Sequence, residues 1–220
     1  MRLLVVAAMS AELPRNLAPL GATGMLVGMR ARSLDDGPLP GDGPVLITGS
    51  CGALTTGHPP GTLVLADAVV DAAGALLPDV ALHAEMARAA HRAGLAVAGG
   101  RIVQASEVID SDAARADLAR SAGAEFVDLE SARLARACIA AGRPWAMLRV
   151  VTDAPGASLQ WLGELLGGMP EGEVNGARVA WRLLRKPSML PKVIAIGRLM
   201  ASARADLREV VSRLREGTSG

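Results

Sequence analysis

The sequence is poor in cysteine, in aromatic residues and in charge. Its two cysteines among 220 residues form no CxxC pair and no Cys/His cluster, which argues against a disulfide framework and against a zinc site. Phenylalanine, tryptophan and tyrosine together make up 2% of the chain, too little for a nucleic-acid surface built on base stacking. Half of the residues are hydrophobic and 20% are charged, and this balance excludes an intrinsically disordered chain.

The chain also lacks a long hydrophobic run. No apolar stretch reaches the roughly 18 to 20 uncharged residues that a bilayer crossing requires. Residues 1–8 are apolar, but Glu12, Pro14 and Arg15 end the run early, and neither a basic leader nor a cleavage site of small residues accompanies it. We therefore interpret this segment as a first strand rather than a signal peptide, and we expect a protein of the reducing cytoplasm.

The net charge of +1 conceals a strong asymmetry along the chain. Residues 178–215 contain ten lysines or arginines and two acids, so this segment carries +8 and the rest of the chain carries −7. Such a distribution predicts an acidic body with a basic C-terminal arm. We expect the arm either to pack on the body or on a second subunit, or to meet an anionic membrane surface, and the two arrangements are compatible.

Within the arm, apolar residues recur at spacings of three and four. They are Val193, Ile196, Met200, Ala203, Leu207, Val210 and Leu214. This spacing predicts a long helix over residues 192–215 with one apolar stripe. A shorter helix is predicted over residues 181–186, and the glycine-rich residues 163–176 predict a loop that separates arm from body. We accordingly divide the chain into residues 1–176 and 177–220.

Before the arm, short apolar runs alternate with helical patterns. Strands are predicted over residues 3–8, 25–29, 45–48, 62–70, 95–98 and 102–105. Helices are predicted over residues 80–93 and from about residue 111 to residue 120. Asp79 is the expected N-cap of the first helix, and Asp110 or Ser111 that of the second. A strand over residues 125–129, a helix over 131–141 and a strand over 145–152 predict parallel pairing through a right-handed crossover. The whole order predicts an α/β domain with helices on both sheet faces.

Polar side chains follow several of these strands. Glu12 follows the first strand, Ser50 lies in the glycine-rich turn after residues 45–48, Asp128 and Glu130 close the next strand, and Asp153 ends the last. Because ligands of open α/β sheets gather at the carboxyl ends of strands, these groups predict an acid/base site. Each also has a structural alternative: a first-turn helix acid for Glu12, a turn serine for Ser50, a helix N-terminal acid for Glu130, and a turn or cap residue for Asp153.

The residues around these positions resemble the purine nucleoside phosphorylases and nucleosidases. The segments VVAAMSAEL, TGSCGAL and PPGTLVLADAVVD are similar to the family's first strand, its glycine-rich turn and its GDIVVSD strand. The segment FVDLESARLARACIAAGRPWAMLRVVTDAP matches the family's long signature closely. The resemblance implies a three-layer α/β/α fold with a central mixed sheet, here followed by a C-terminal helical arm. It also implies cleavage of a purine N-glycosidic bond in a homo-oligomer, with a small nucleoside as substrate and no nucleic-acid partner.

The resemblance also implies a role for each site residue. Asp153 matches the acid that protonates the purine at N7, and Glu130 the acid that binds the ribose hydroxyls. Glu12 matches the position that orients or activates water in the hydrolytic relatives, and Ser50 a hydroxyl that contacts phosphate in the phosphorylases. The remaining matched positions are expected to contact the substrate or to support the pocket. They are Gly49, Gly52, Val108, Asp128, Leu129 and Arg149.

The nucleophile stays open between water and phosphate. Inorganic phosphate is the candidate co-substrate, and neither a metal nor another cofactor is implied. Ile47 replaces the phosphorylase arginine before the glycine-rich turn, and the PGDPxR phosphate loop is absent. Val108 stands where the family has a base-stacking phenylalanine, and Leu129 where it has a methionine. About thirty residues that normally wall the site are missing between Glu12 and Val45, so a degenerate, non-catalytic nucleoside-binding member is an alternative.

The arm offers a finer resemblance. The segment RLLRKPSMLPKVIAIGRLMASARADL is similar to the C-terminal segment of hopanoid-associated phosphorylases. This similarity implies release of adenine from adenosylhopane, a lipid-linked substrate, and hence contact of a cytoplasmic protein with the inner membrane face. A nucleosidase of the methylthioadenosine/S-adenosylhomocysteine type is the alternative.

Overall fold

The structure is a computed structural model that describes residues 2–35, 37–157, 165 and 176–217. The strands are β1 (Leu3–Ala7), β2 (Ala22–Leu26), β3 (Val45–Ala53), β4 (Leu63–Leu65), β5 (Ala68–Asp71), β6 (Gly74–Leu76), β7 (Val97–Ala98), β8 (Arg101–Gln104), β9 (Phe126–Asp128) and β10 (Trp145–Asp153). The helices are α1 (Val80–Arg92), α2 (Asp112–Ala122), α3 (Ser131–Ala140), α4 (Gly176–Arg185) and α5 (Leu190–Gly217).

The ten strands form one mixed sheet around β3. The order is β6-β5-β8-β9-β3-β10-β4-β7, with β1 beside the first half of β3 and β2 beside β1. β3 pairs in parallel with β1 and β10 and antiparallel with β9. The carboxyl ends of β1, β3 and β10 therefore meet at one edge of the sheet, and the end of β9 lies beside that of β3.

Helices cover both faces of the sheet, as predicted. Alternate strand residues point to opposite faces, so Val6 and Ile47 share a core with α3, whereas Val5 and Leu46 share one with α1 and α5. All of these strand residues are fully buried. The predicted α/β/α fold with a central mixed sheet is confirmed.

The crossover prediction for the unit after residue 124 is wrong. β9 and β10 do not pair with each other; β3 lies between them, parallel to β10 and antiparallel to β9. β9 pairs in parallel with β8 instead. A strand, a helix and a strand in succession suggest adjacent parallel strands. Here the long β3 pairs with β9 on one side and with β10 on the other.

Other boundaries differ from the prediction as well. The strand expected over residues 62–70 is two strands, because β4 pairs with β10 and the chain then turns at Asp67 so that β5 pairs with β8. β2 begins three residues earlier than predicted, and β6 was not predicted. The N-caps are confirmed, since Asp79 accepts a hydrogen bond from the Leu82 amide and Ser111 one from the Ala114 amide.

The apolar stripe of α5 packs on the domain through its C-terminal half. Leu207, Val210 and Val211 are buried against α1, while Val193 and Ile196 are half-buried. Of the loop predicted over residues 163–176, only Leu165 and Gly176 lie within the described residues, and Gly176 begins α4. None of the helices in the described ranges has the length and apolar character that a membrane crossing requires.

Candidate active site

Glu12 lies at the edge where β1 and β3 end. It is buried in a turn after β1, and its Oε1 accepts hydrogen bonds from the Ser50 amide at 3.0 Å and the Ser50 hydroxyl at 2.7 Å. Its Oε2 accepts a third from the Met9 amide at 3.0 Å. The first-turn helix alternative for Glu12 is wrong, because residues 9–12 form turns rather than a helix. Three donors therefore fix the direction of this carboxylate.

Arg149 on β10 lies behind this pair and carries a buried positive charge. Its Nη1 donates to the Thr48 carbonyl at 2.9 Å, and its Nη2 lies 2.5 Å from Asp128 Oδ2. Burial disfavours the charge, but attraction by Asp128, Glu130 and Glu12 outweighs burial and raises the pKa of Arg149. Asp128 is fixed in turn by the Ser131 amide, which donates to its Oδ1 at 3.0 Å.

Glu130 completes the acidic group. It stands at the N-cap of α3, yet its side chain makes no capping bond and instead accepts a hydrogen bond from the Arg30 amide at 3.0 Å. Burial is the main cause that raises the pKa of Glu130, and repulsion by Asp128 and Glu12 adds to it against the opposing effects of Arg149 and the Arg30 amide. The structural alternative for Glu130, a helix N-terminal acid, is therefore right about its position in the chain but not about its hydrogen bonds.

The segment that meets Glu130 belongs to the short stretch between Glu12 and Val45. It is a 3-10 segment, Met29–Asp35, in which Arg30 and Ala31 have φ values of 57° and 51°. Arg133 of α3 holds it by donating to the Arg30 carbonyl at 3.1 Å and by pairing with Asp35. Despite its shortness, this stretch therefore contacts the candidate site at Glu130.

Asp153 ends β10 and is buried in an ion pair. Its Oδ2 lies 2.5 Å from Nη2 of Arg115, and its Oδ1 accepts a hydrogen bond from the Thr152 hydroxyl at 3.0 Å. Arg115 belongs to α2 and is 1% exposed. Arg115 was not predicted from the sequence, although a signal was present: it shares a helix face with Leu118, Ala119 and Ala122, where an unpaired charge would be costly.

Two glycines of β3 allow these side chains to approach the backbone. A Cβ at Gly49, whose φ is +141°, would lie 2.2 Å from Nη1 of Arg149. A Cβ at Gly52 would lie 2.9 Å from Oδ2 of Asp153. The turn predicted over residues 49–52 is therefore wrong, because β3 continues through Ala53 and Ser50 is a strand residue. The two glycines instead leave room for Arg149 and Asp153 beside the strand.

A comparison with family models now identifies the family. The model described as the phosphorylase superfamily matches residues 41–185, which include every site residue above except Glu12 and the segment that meets Glu130. The chain belongs to the phosphorylase superfamily. This membership confirms the prediction of an enzyme of the nucleoside phosphorylase and nucleosidase type. A comparison with curated protein sequences found no match.

Solved structures share the fold of this superfamily member at low sequence identity. A methylthioadenosine nucleosidase candidate from Weissella paramesenteroides is 16% identical, with a TM-score of 0.67 over 99% of this chain and 98% of its own. The 5′-methylthioadenosine/S-adenosylhomocysteine nucleosidase of Campylobacter jejuni is 15% identical, with a TM-score of 0.64 over 96% and 99%. Futalosine hydrolase of Helicobacter pylori is 16% identical, with a TM-score of 0.55 over 70% and 88%.

Two further predicted positions of this superfamily member, Val108 and Leu129, are less enclosed than the carboxylates. Val108 lies in the loop between β8 and α2 and is 56% exposed, and Leu129 is half-buried between Asp128 and Glu130. Ile47 is fully buried in the core, so it cannot hold an anion. Cys51 lies among the charged groups, but burial raises the pKa of its thiol, so the thiol is a poor nucleophile.

Proposed function

We propose that this enzyme hydrolyses the N-glycosidic bond of an adenosyl compound and releases adenine. The observation that carries the proposal is the group formed by Glu12, Ser50, Glu130 and Arg149 at the strand ends, with Asp153 at the end of β10. Glu130 is suited to bind the sugar and Glu12 to direct a water molecule. Asp153 is suited to protonate the leaving purine. The names of the fold relatives, nucleosidases and a hydrolase, agree with this reaction.

The charge of the site favours water over phosphate as the attacking nucleophile. Three acids, Glu12, Asp128 and Glu130, surround one arginine, and a phosphate dianion would be repelled by this excess of negative charge. The hydroxyl and the amide of Ser50 both donate to Glu12, so neither is directed at an anion. A neutral water molecule avoids the repulsion and gives Glu12 a proton to accept.

The reaction then follows from the chemistry of the bond. A water oxygen attacks C1′ while one of its protons passes to Glu12, and the C1′–N9 bond breaks with its electron pair leaving on the purine. Asp153 supplies a proton to N7, which neutralises the departing base, so Asp153 must first take up that proton from solvent. Glu130 accepts hydrogen bonds from ribose hydroxyls through the oxygen that the Arg30 amide leaves open.

Product analysis tests the reaction. The protein is incubated with 5′-methylthioadenosine, S-adenosylhomocysteine and adenosine, with and without phosphate, and in water labelled with oxygen-18. We expect adenine and a free, labelled sugar at the same rate in both buffers, and a loss of about 10² to 10⁴ in rate in Asp153→Asn. A sugar 1-phosphate formed only with phosphate would make the enzyme a phosphorylase. Ligand binding without adenine release would make it a non-catalytic nucleoside-binding protein.

A lipid-linked adenosyl compound such as adenosylhopane is the second candidate substrate. One observation favours it: α4 and the start of α5 expose the large apolar side chains of Trp181, Leu184, Leu190 and Ile194. They lie within residues 178–215, which carry +8, and the guanidinium of Arg185 stacks 3.9 Å above the Trp181 ring. Apolar side chains among basic ones suit an anionic membrane surface. Contact with the inner membrane face, homo-oligomer formation and the division at residue 176 stay predictions.

A further inference from the structure

Arg115 is a buried cation whose charge is matched by the candidate acid of the reaction. Its guanidinium spans two partners: Nη2 reaches Asp153 Oδ2 at 2.5 Å, and Nη1 donates to the Ala53 carbonyl at 2.8 Å. Arg115 is 1% exposed and Asp153 is 5% exposed, so water screens neither charge. The two contacts fix the guanidinium between the end of β3 and the end of β10.

The helix that carries Arg115 is anchored to the same end of β10. The Gly156 amide, just after β10, donates to Asp112 Oδ1 at 2.8 Å. Ser111 caps the helix, and Leu118, Ala119 and Ala122 pack against a small core of their own. Arg115 is therefore held by a rigid helix, with little freedom to leave Asp153.

The ion pair has a direct consequence for proton transfer. When a protonated Asp153 gives its proton to N7 of the base, the carboxyl group becomes a carboxylate in a buried place. A guanidinium already positioned at Oδ2 stabilises that developing charge without rearrangement. The proton moves from the carboxyl oxygen to N7, the electron pair of the C1′–N9 bond stays on the purine, and the ion pair with Arg115 forms again.

We propose that Arg115 is a positioning residue that acts through Asp153: it orients the carboxyl group and stabilises the carboxylate left after proton donation. The inference rests on the proposed cleavage of a glycosidic bond. It assigns to α2 a role in the chemical step, and it predicts that Arg115 matters for kcat and little for substrate binding.

The test measures kcat and KM for adenine release in Arg115→Met, Asp153→Asn and the double variant. We expect Arg115→Met to lower kcat by about tenfold or more with KM changed by less than about threefold. Because Arg115 acts through Asp153, adding Arg115→Met to Asp153→Asn should cause no further loss. Independent, multiplying losses in the double variant would overturn the proposal.

A matched control separates this role from structural damage. Arg143 is also buried and donates to two carbonyls, those of Gly43 and Pro40, but it contacts no carboxylate of the site. Arg143→Met should therefore lose stability while the folded fraction keeps its kcat. An equal fall of kcat in Arg143→Met and Arg115→Met would show that Arg115 is only structural.

Arg115→Lys keeps the inference testable if Arg115→Met does not fold. A lysine keeps the charge but cannot bridge Asp153 and Ala53 with a planar fork, so we expect kcat between those of wild type and Asp153→Asn. A wild-type kcat in Arg115→Met, or a kcat of Arg115→Lys as low as that of Asp153→Asn, would refute the role. Absence of adenine release by the wild-type protein would instead refute the proposed function itself.

Discussion

Ser50 and Glu12 are joined by two hydrogen bonds to a single oxygen. The Ser50 hydroxyl lies 2.7 Å and its amide 3.0 Å from Glu12 Oε1, although 38 residues separate the two in the chain. This contact ties the end of β1 to the end of β3. It makes Ser50 a support for the acid that is proposed to direct water.

Replacing Ser50 separates the two candidate nucleophiles. In Ser50→Ala the amide still donates to Glu12, so we expect a loss of about tenfold or less in kcat and no change in phosphate dependence. If Ser50 held phosphate, the same substitution would raise the KM for phosphate. Initial rates at several phosphate concentrations distinguish the outcomes, and Glu12→Gln, which removes the base itself, should lose more activity than Ser50→Ala.

Glu130→Gln should alter the pH dependence of stability as well as activity. The pKa of Glu130 is raised by burial, so the folded protein binds this proton more tightly than the unfolded chain does. Its contribution to stability is therefore complete below the ordinary glutamate pKa and is lost as the pH rises through the raised value.

Denaturant unfolding at several pH values measures this effect. Across that pH window, we expect the free energy of unfolding to fall less in Glu130→Gln than in wild type. Since glutamine binds ribose hydroxyls less well than a carboxylate, KM should rise and kcat should fall. Identical pH profiles of stability would contradict the burial of an ionisable Glu130.

Gly49→Ala should displace Arg149. The new Cβ would lie 2.2 Å from Nη1 of Arg149, and the φ of +141° is itself unfavourable for alanine. Gly57→Ala is the matched control, because Gly57 has a φ of +101° and a Cβ added there would meet no heavy atom within 4 Å.

Thermal or denaturant unfolding separates backbone strain from the clash. We expect about 1 to 3 kcal/mol of destabilisation from backbone strain in both variants, and a further loss, with loss of activity, only in Gly49→Ala. Equal effects of the two substitutions would show that Arg149 can move aside at no cost.

The exposed apolar side chains of α4 and α5 should bind anionic vesicles. Leu184 is 83% exposed, and Leu184→Glu both removes apolar area and adds a negative charge. We expect co-sedimentation of the wild-type protein with anionic vesicles at low salt, release at about 0.5 M salt, and weaker binding by Leu184→Glu.

Val80→Glu is the control for this surface. Val80 is also 83% exposed, but it begins α1, outside the basic arm. This variant should bind vesicles like wild type. If the wild-type protein does not bind anionic vesicles at low salt, the membrane role of this surface fails. A change only in the sedimentation coefficient of free Leu184→Glu would indicate an interface between copies of the chain.

The candidate acids could be located from the sequence because their positions depend on local rules. Glu12 and Asp153 follow or end the parallel strands β1 and β10, and parallel strands bring their ends together. Asp128 also ends an apolar strand, but β9 is antiparallel to β3 and reaches the site beside the end of β3. Ser50 lies in a glycine-rich segment that is evident in the sequence, although this segment is the second half of β3 and not the predicted turn. These features are local in the chain, and the structure brings Glu12, Ser50 and Asp128 into the group that surrounds Arg149.

The pairing of strands could not be predicted in the same way. β9 and β10 are joined by a single helix and look like neighbours, yet β3 separates them. The partner of a short strand is decided by which long strand has free hydrogen-bonding edges, and this depends on the whole sheet. The split of residues 62–70 into β4 and β5 has the same origin, since each half pairs with a different strand.

The sequence by itself determined the layered α/β architecture, the two capped helices and the polar residues at the strand ends, because hydrophobic period and capping act over a few residues. Only the tertiary structure decided that Arg115 pairs with Asp153 and that the Arg30 amide meets Glu130, at separations of 38 and 100 residues. A buried charge takes whichever partner the packed elements bring within reach, and that partner is fixed by the fold rather than by the neighbouring sequence.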